Sequence, residues 1–102
     1  MTPTEFKLRD TKIRRCARPR ILGDGKDAVL GLHGFMGYPG ELSYPAEKLA
    51  EAGFTVSLPR FPGHGTCGED FNHSNGGQWF RAAIDAYLEL KNDHEKIHLM
   101  GH

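Results

Sequence analysis

Ala28-Val29-Leu30-Gly31-Leu32-His33-Gly34-Phe35-Met36-Gly37 is the stretch whose reading decides the fold. Its first five residues form an unbroken apolar run of strand length. A parallel strand covered on both faces has this pattern. The run passes straight into a segment, 33–40, too rich in Gly and Pro for helix or strand. Working outward, Leu42, Ala46, Leu49 and Ala50 keep helical spacing. Pro45 fits the first helical position, Glu47 complements the dipole, and Gly53 fits a left-handed stop. Phe54 to Leu58 reads as the next strand, ended by Pro59. Arg60 to Gly77 reads as a long loop. Gln78 to Asn92 is the best helix, with Trp79, Phe80, Ala83, Ile84, Tyr87 and Leu88 on one apolar stripe. Lys96 to Met100 is a last strand, and Gly101-His102 follow it. Toward the N-terminus, Asp24-Gly25 marks a turn. Ile13 to Leu22 reads as extended, with Pro19 confining it to an edge or bulge. Phe6 and Leu8 alternate with charged residues as in a half-buried strand. Two β segments, then β-loop-α, β-loop-α, β, predict an α/β fold around a mostly parallel sheet.

Composition bounds the function. The chain has 102 residues, room for one domain at most. Thirteen Lys and Arg balance thirteen Asp and Glu, which lends no support to a nucleic-acid reader or a polybasic membrane binder. Two cysteines, Cys16 and Cys67, make no disulfide scaffold. The polar N-terminus shows no secretory signal, and no apolar run is long enough for a transmembrane helix. The expected compartment is the cytoplasm. Charge is uneven, however: residues 1–20 hold seven Lys and Arg against two acids. A solvated edge hairpin and an anionic-ligand patch both fit that excess.

Two features fall at the C-terminal ends of predicted parallel strands, where open α/β sheets place their sites. One is His33-Gly34-Phe35-Met36-Gly37. The other is Gly101-His102, the opening of a G-x-S-x-G nucleophile elbow, whose serine would be residue 103. Other chemistries fit less well. His64, Cys67 and His73 offer three zinc ligands but no fourth at a recognised spacing. The Gly-rich loop 34–40 has neither a P-loop nor a dinucleotide fingerprint.

Residues 28–102 resemble the N-terminal half of an α/β-hydrolase-fold serine hydrolase, most like small carboxylesterases and monoacylglycerol-lipase-like enzymes. Leu32-His33-Gly34-Phe35-Met36-Gly37, Phe61-Pro62-Gly63-His64-Gly65 and Ile97-His98-Leu99-Met100-Gly101-His102 carry the likeness, with Trp79 in support. The resemblance implies one domain portion over 1–102. In it 1–27 are antiparallel edge strands and 28–102 are the β-α-β-α-β run up to the elbow. It implies a cofactor-free ester hydrolase working through an acyl-enzyme, on an ester with an apolar acyl or alcohol group. The Phe35 backbone N–H would be an oxyanion-hole donor. Gly34 and Gly37 would let that loop fold tightly, Phe35 and Met36 would line the acyl pocket, and His102 would sit beside the nucleophile.

The chain departs from the family pattern in one respect: no complete G-x-S-x-G is present. Ser43 reads as a capping or turn residue, Ser57 lies in a strand, and Ser74 lies in a polar loop. Nucleophile, acid and base are therefore expected after His102, in a C-terminal segment of the same hydrolase. The chain by itself is expected to be inactive. His33 is expected to brace the oxyanion loop, His64 to fix the Pro-Gly-His-Gly turn, and His98 to be a packed or satisfied strand residue. The alternative is a non-catalytic binding or receptor protein of the same fold.

Overall fold

The computed structural model describes residues 12–102. The strand expected around Phe6 and Leu8 lies outside the described residues. Four strands form one sheet: β1 (Arg20–Leu22), β2 (Ala28–Leu32), β3 (Thr55–Leu58) and β4 (Ile97–Gly101). Their order is β1-β3-β2-β4. β2 runs parallel to both β3 and β4, and β1 runs antiparallel to β3. The helices are α1 (Ser43–Glu51), α2 (Gly68–Asn72) and α3 (Gly76–Lys91). The fold is thus α/β with a mostly parallel sheet and an antiparallel edge strand.

Alternation along β2 explains why its sequence is apolar throughout. Val29 faces one way and packs with Val56, Leu58, Leu42 and Ala46, the α1 side. Ala28 and Leu30 face the other way and pack with Leu90 of α3. Successive strand side chains point to opposite faces, so a strand with helices on both faces has no polar positions. Gly31 is small for a packing reason. A Cβ there would lie 2.5 Å from Leu58 Cδ2 and 3.1 Å from Met100 Cε. Gly53 ends α1 in the left-handed region at φ +102° while its amide bonds Ala50 O, as its sequence position predicts.

Several boundaries differ from expectation. The stretch 13–22 is not continuously extended, because a 3₁₀ turn, Arg15–Ala17, interrupts it and buries Ala17. A second 3₁₀ turn, Pro39–Leu42, runs directly into α1. The Ser43 amide already bonds Gly40 O, so α1 starts at Ser43 and Pro45 is its third residue, not its first. Ser43 therefore closes the 3₁₀ turn as its C-cap and is not the N-cap of α1; its hydroxyl accepts a bond from Arg20 Nη1 at 3.4 Å. The 60–77 loop contains α2. α3 begins at Gly76 because Asn75 and Gln78 form a reciprocal capping box that outweighs the two glycines. The apolar stripe of α3 is largely uncovered: Phe80 and Leu88 are exposed, and Leu90 with Ala86 makes the core contact. His98 is also exposed, with its ring edge-on to Phe54, because β4 is the outermost strand among the described residues.

Candidate active site

β2 and β4 lie side by side and parallel, so they deliver their next residues to the same end of the sheet. Leu32 pairs with Gly101, and the His102 amide donates to Leu32 O at 3.2 Å. A Cβ on Gly34 would lie 3.3 Å from His102 O and 3.4 Å from His102 Nδ1. The structure therefore brings the two sequence motifs, separated by 63 residues, side by side.

After β2 the chain turns tightly, with the Gly37 amide donating to Gly34 O at 2.8 Å. Within this turn Met36 has φ +62° and is the sole described residue besides glycine with a positive φ. A negative φ at Phe35 followed by a left-handed Met36 is the type II pattern. Glycine would take the Met36 conformation freely, and methionine holds it at a cost of about 1 kcal/mol or more. Glu41 supports the turn by accepting from the Tyr38 amide at 3.0 Å. The Phe35 amide bonds to no group among the described residues. The Phe35 side chain is 70% exposed, and its ring meets Phe71 at 5.3 Å and Trp79 at 5.6 Å, edge-on in both cases.

Two buried histidines sit beneath the turn. His33 Nε2 accepts the Phe61 amide at 3.1 Å, so its other nitrogen must carry the proton that reaches Gly34 O at 3.0 Å. Both bonds require the neutral ring with its proton on Nδ1. Burial lowers the His33 pKa, and His64 and Arg60 add to that; the Gly34 bond and Glu41 oppose it. His64 is 2% exposed and bonds Pro62 O through Nδ1 at 3.0 Å. Its carbonyl accepts from Arg60 Nη1 at 2.8 Å, and its Nε2 has no partner among the described residues. The rings of His33, Phe61, Phe71 and Trp79 surround it at centroid distances of 5.0 to 5.8 Å. Trp79 Nε1 donates to both Pro62 O, at 3.0 Å, and Ser74 Oγ, at 3.1 Å.

Met36, Gly37, Tyr38, His64 and Phe71, together with Arg14, Thr66 and Cys67, line a largely apolar cleft of about 340 Å³ beside the turn. Met36 lines this cleft, whereas Phe35 leans on the aromatic cluster. Sequence reasoning missed that cluster as a unit because it missed α2, which carries Phe71. One signal was present: Glu69 and Asp70 fall in a first turn behind Cys67, whose Sγ accepts the Asp70 amide. Ser57 is buried in β3, and the Ser74 hydroxyl donates to Phe71 O at 2.6 Å. Among the described residues no three His, Cys, Asp or Glu side chains gather to hold a metal. No helix among them is long and apolar enough to cross a membrane.

A mostly parallel sheet with helices on both faces, and two Gly-containing motifs meeting at its C-terminal end, make this an α/β protein with its candidate site where open α/β sheets carry theirs. Comparison with known proteins narrows the class. No family model matches the chain. It is 38% identical over 85 residues to a thermostable monoacylglycerol lipase from Bacillus sp. (strain H-257), covering 83% of this chain and 34% of that protein. It is 33% identical over 85 residues to a carboxylesterase from Bacillus subtilis (strain 168), covering 82% of this chain and 35% of that one. A solved structure from a study of LipS and LipT, two metagenome-derived lipolytic enzymes, superimposes with a TM-score of 0.84 at 30% identity. That match covers 88% of this chain and 37% of the other. The chain spans about a third of the length of the curated relatives it matches. Over that span it is an esterase/lipase-like segment of the α/β-hydrolase fold.

Proposed function

We propose that this chain forms the oxyanion-loop part of a serine ester hydrolase, and that the nucleophilic serine directly follows His102. The observation that carries the reading is the free Phe35 amide in a strained turn whose Gly34 touches His102. An acyl-transfer site needs preorganised N–H donors near the point where the carbonyl oxygen becomes negative, close to the nucleophile. The Phe35 N–H is one donor, and the residue after the serine supplies the second. Acid and base come from the following segment, in the chain order of α/β-hydrolases. The serine attacks the ester carbonyl, the histidine takes its proton, and the alcohol leaves as the acyl-enzyme forms; water then releases the acid. The apolar cleft bounded by Met36, Tyr38 and Phe71 favours an apolar acyl or alcohol group. The names of the relatives support an ester as substrate.

The test is to treat the intact protein with a fluorophosphonate and map the adduct by mass spectrometry, alongside p-nitrophenyl ester hydrolysis. The expected result is one adduct on the serine after His102 and loss of hydrolysis. A protein that takes no label and hydrolyses no ester is the non-catalytic binder of the same fold.

A further inference from the structure

Lys12, Arg14, Arg15, Arg18 and Arg20 place five cations within nine positions. The chemical steps of ester hydrolysis described above use none of them, and of the five only Arg14 borders the apolar cleft beside the turn. The fold nevertheless holds this segment firmly. The Arg14 amide donates to Gly65 O at 3.0 Å. Ala17 is fully buried, and Gly65 makes room for it: with φ +73° it bears no side chain, and a Cβ there would collide with Ala17 Cβ. Gly40 likewise admits the Cys16 carbonyl, which a Cβ would strike. Arg14, Arg15 and Arg18 therefore stand exposed around an anchored turn.

A cleft of about 480 Å³ opens there, walled by Lys12, Arg14, Arg15 and Arg18 together with Thr66 and Cys67. Among the described residues no acidic side chain lines it. Among the described residues Arg14, Arg15 and Arg18 form no ion pair, whereas Arg20 is drawn off to Glu47 at 3.6 Å. The nearby Asp70 carboxylate is engaged by the Thr66 hydroxyl. Like charges crowded in a concave site raise its potential and attract a counter-ion. Guanidinium groups suit the oxygens of phosphate, which they bind in pairs. The volume falls in the range of small-ligand sites and exceeds that of a bare ion.

The structure assigns this cleft as a binding site for a phosphate monoester, held by Arg14, Arg15 and Arg18. The ligand's source is either a soluble phosphorylated molecule or an anionic phospholipid headgroup, and the chemistry at the arginines is the same. The site does not depend on the ester-hydrolase reading.

Calorimetry on the intact protein tests it with three probes: glycerol phosphate, acetate as a monoanion control, and phosphatidylcholine vesicles with or without phosphatidic acid. Saturable, salt-weakened binding of glycerol phosphate establishes a soluble ligand. Binding to phosphatidic acid vesicles alone establishes a headgroup. In either case Arg14→Gln, Arg15→Gln and Arg18→Gln together lower affinity by at least about tenfold. Arg81→Gln with Lys91→Gln, two cations removed elsewhere, leaves it unchanged. If the triple variant loses its fold by thermal melting, the single exposed-site change Arg18→Gln gives the reading. The assignment is overturned if no phosphate probe binds, if acetate binds as well as glycerol phosphate, or if the Arg81/Lys91 control loses as much affinity.

Discussion

Phe35 acts, in the proposed mechanism, through its backbone, so a test must remove an N–H and keep the turn. Proline does this: it lacks the amide proton, and the second position of a type II turn accepts it. Phe35→Pro is expected to lower kcat of the intact protein about 10²- to 10³-fold, the usual effect of losing one oxyanion donor. Phe35→Leu keeps the donor and loses only the ring contacts with Phe71 and Trp79, so it should cost less than about tenfold. Equal losses in the two variants would show that the amide is not the donor. His33 offers a test by pH. Its folded pKa lies below the ordinary 6.5, so the unfolded chain binds the proton more tightly. The stability it contributes is full above pH 6.5 and declines as pH falls through that value toward the depressed one. Protonation puts a proton on Nε2, which the Phe61 amide already faces. Thermal melts from neutral pH downward should show this decline, and His33→Gln should flatten it.

At the scale of elements, the readable features were those whose signal is local. β2 matches its sequence reading at both ends because an apolar run with no polar position has one reading. The Gly53 stop is equally local. α2 has five residues, none of them buried, so no periodicity announces it. Phe71 holds it in place through contacts with Trp79 and His64 that only the tertiary fold assembles. The start of α3 was legible in Asn75-x-x-Gln78 but masked by Gly76 and Gly77. The Asn75 side chain accepts the Gln78 amide at 2.9 Å, and Gln78 returns the bond at 3.2 Å. Asn75→Ala should therefore destabilise the protein by about 1 kcal/mol, measured by denaturant melting. The same variant should loosen Trp79, one turn into α3, and red-shift its fluorescence. A change of a few tenths would mean that packing of the aromatic cluster, not the cap, sets the helix start.

At the scale of the whole molecule, β4 is the outermost strand on its side of the described sheet, and Leu99 on it is 70% exposed. Phe80 and Leu88 on α3 are exposed as well. An open strand edge beside uncovered apolar side chains promotes association. This chain expressed by itself is expected to elute as oligomers, bind a hydrophobic dye and hydrolyse no ester. A monomeric, dye-silent chain would mean that the sheet needs no further strand beside β4.

By itself the sequence determined the parallel strands, their helical connections and the two motifs at the strand ends. Burial on both faces, turn chemistry and helix stops act over a few residues and leave their mark there. Tertiary structure alone decided that Gly34 meets His102, that α3 turns Leu90 and not Phe80 to the core, and that Ala17 seats the arginines beside Thr66. These depend on strand order and on which helix face the sheet can reach. Such relations join residues far apart in the chain, and no local spacing encodes them.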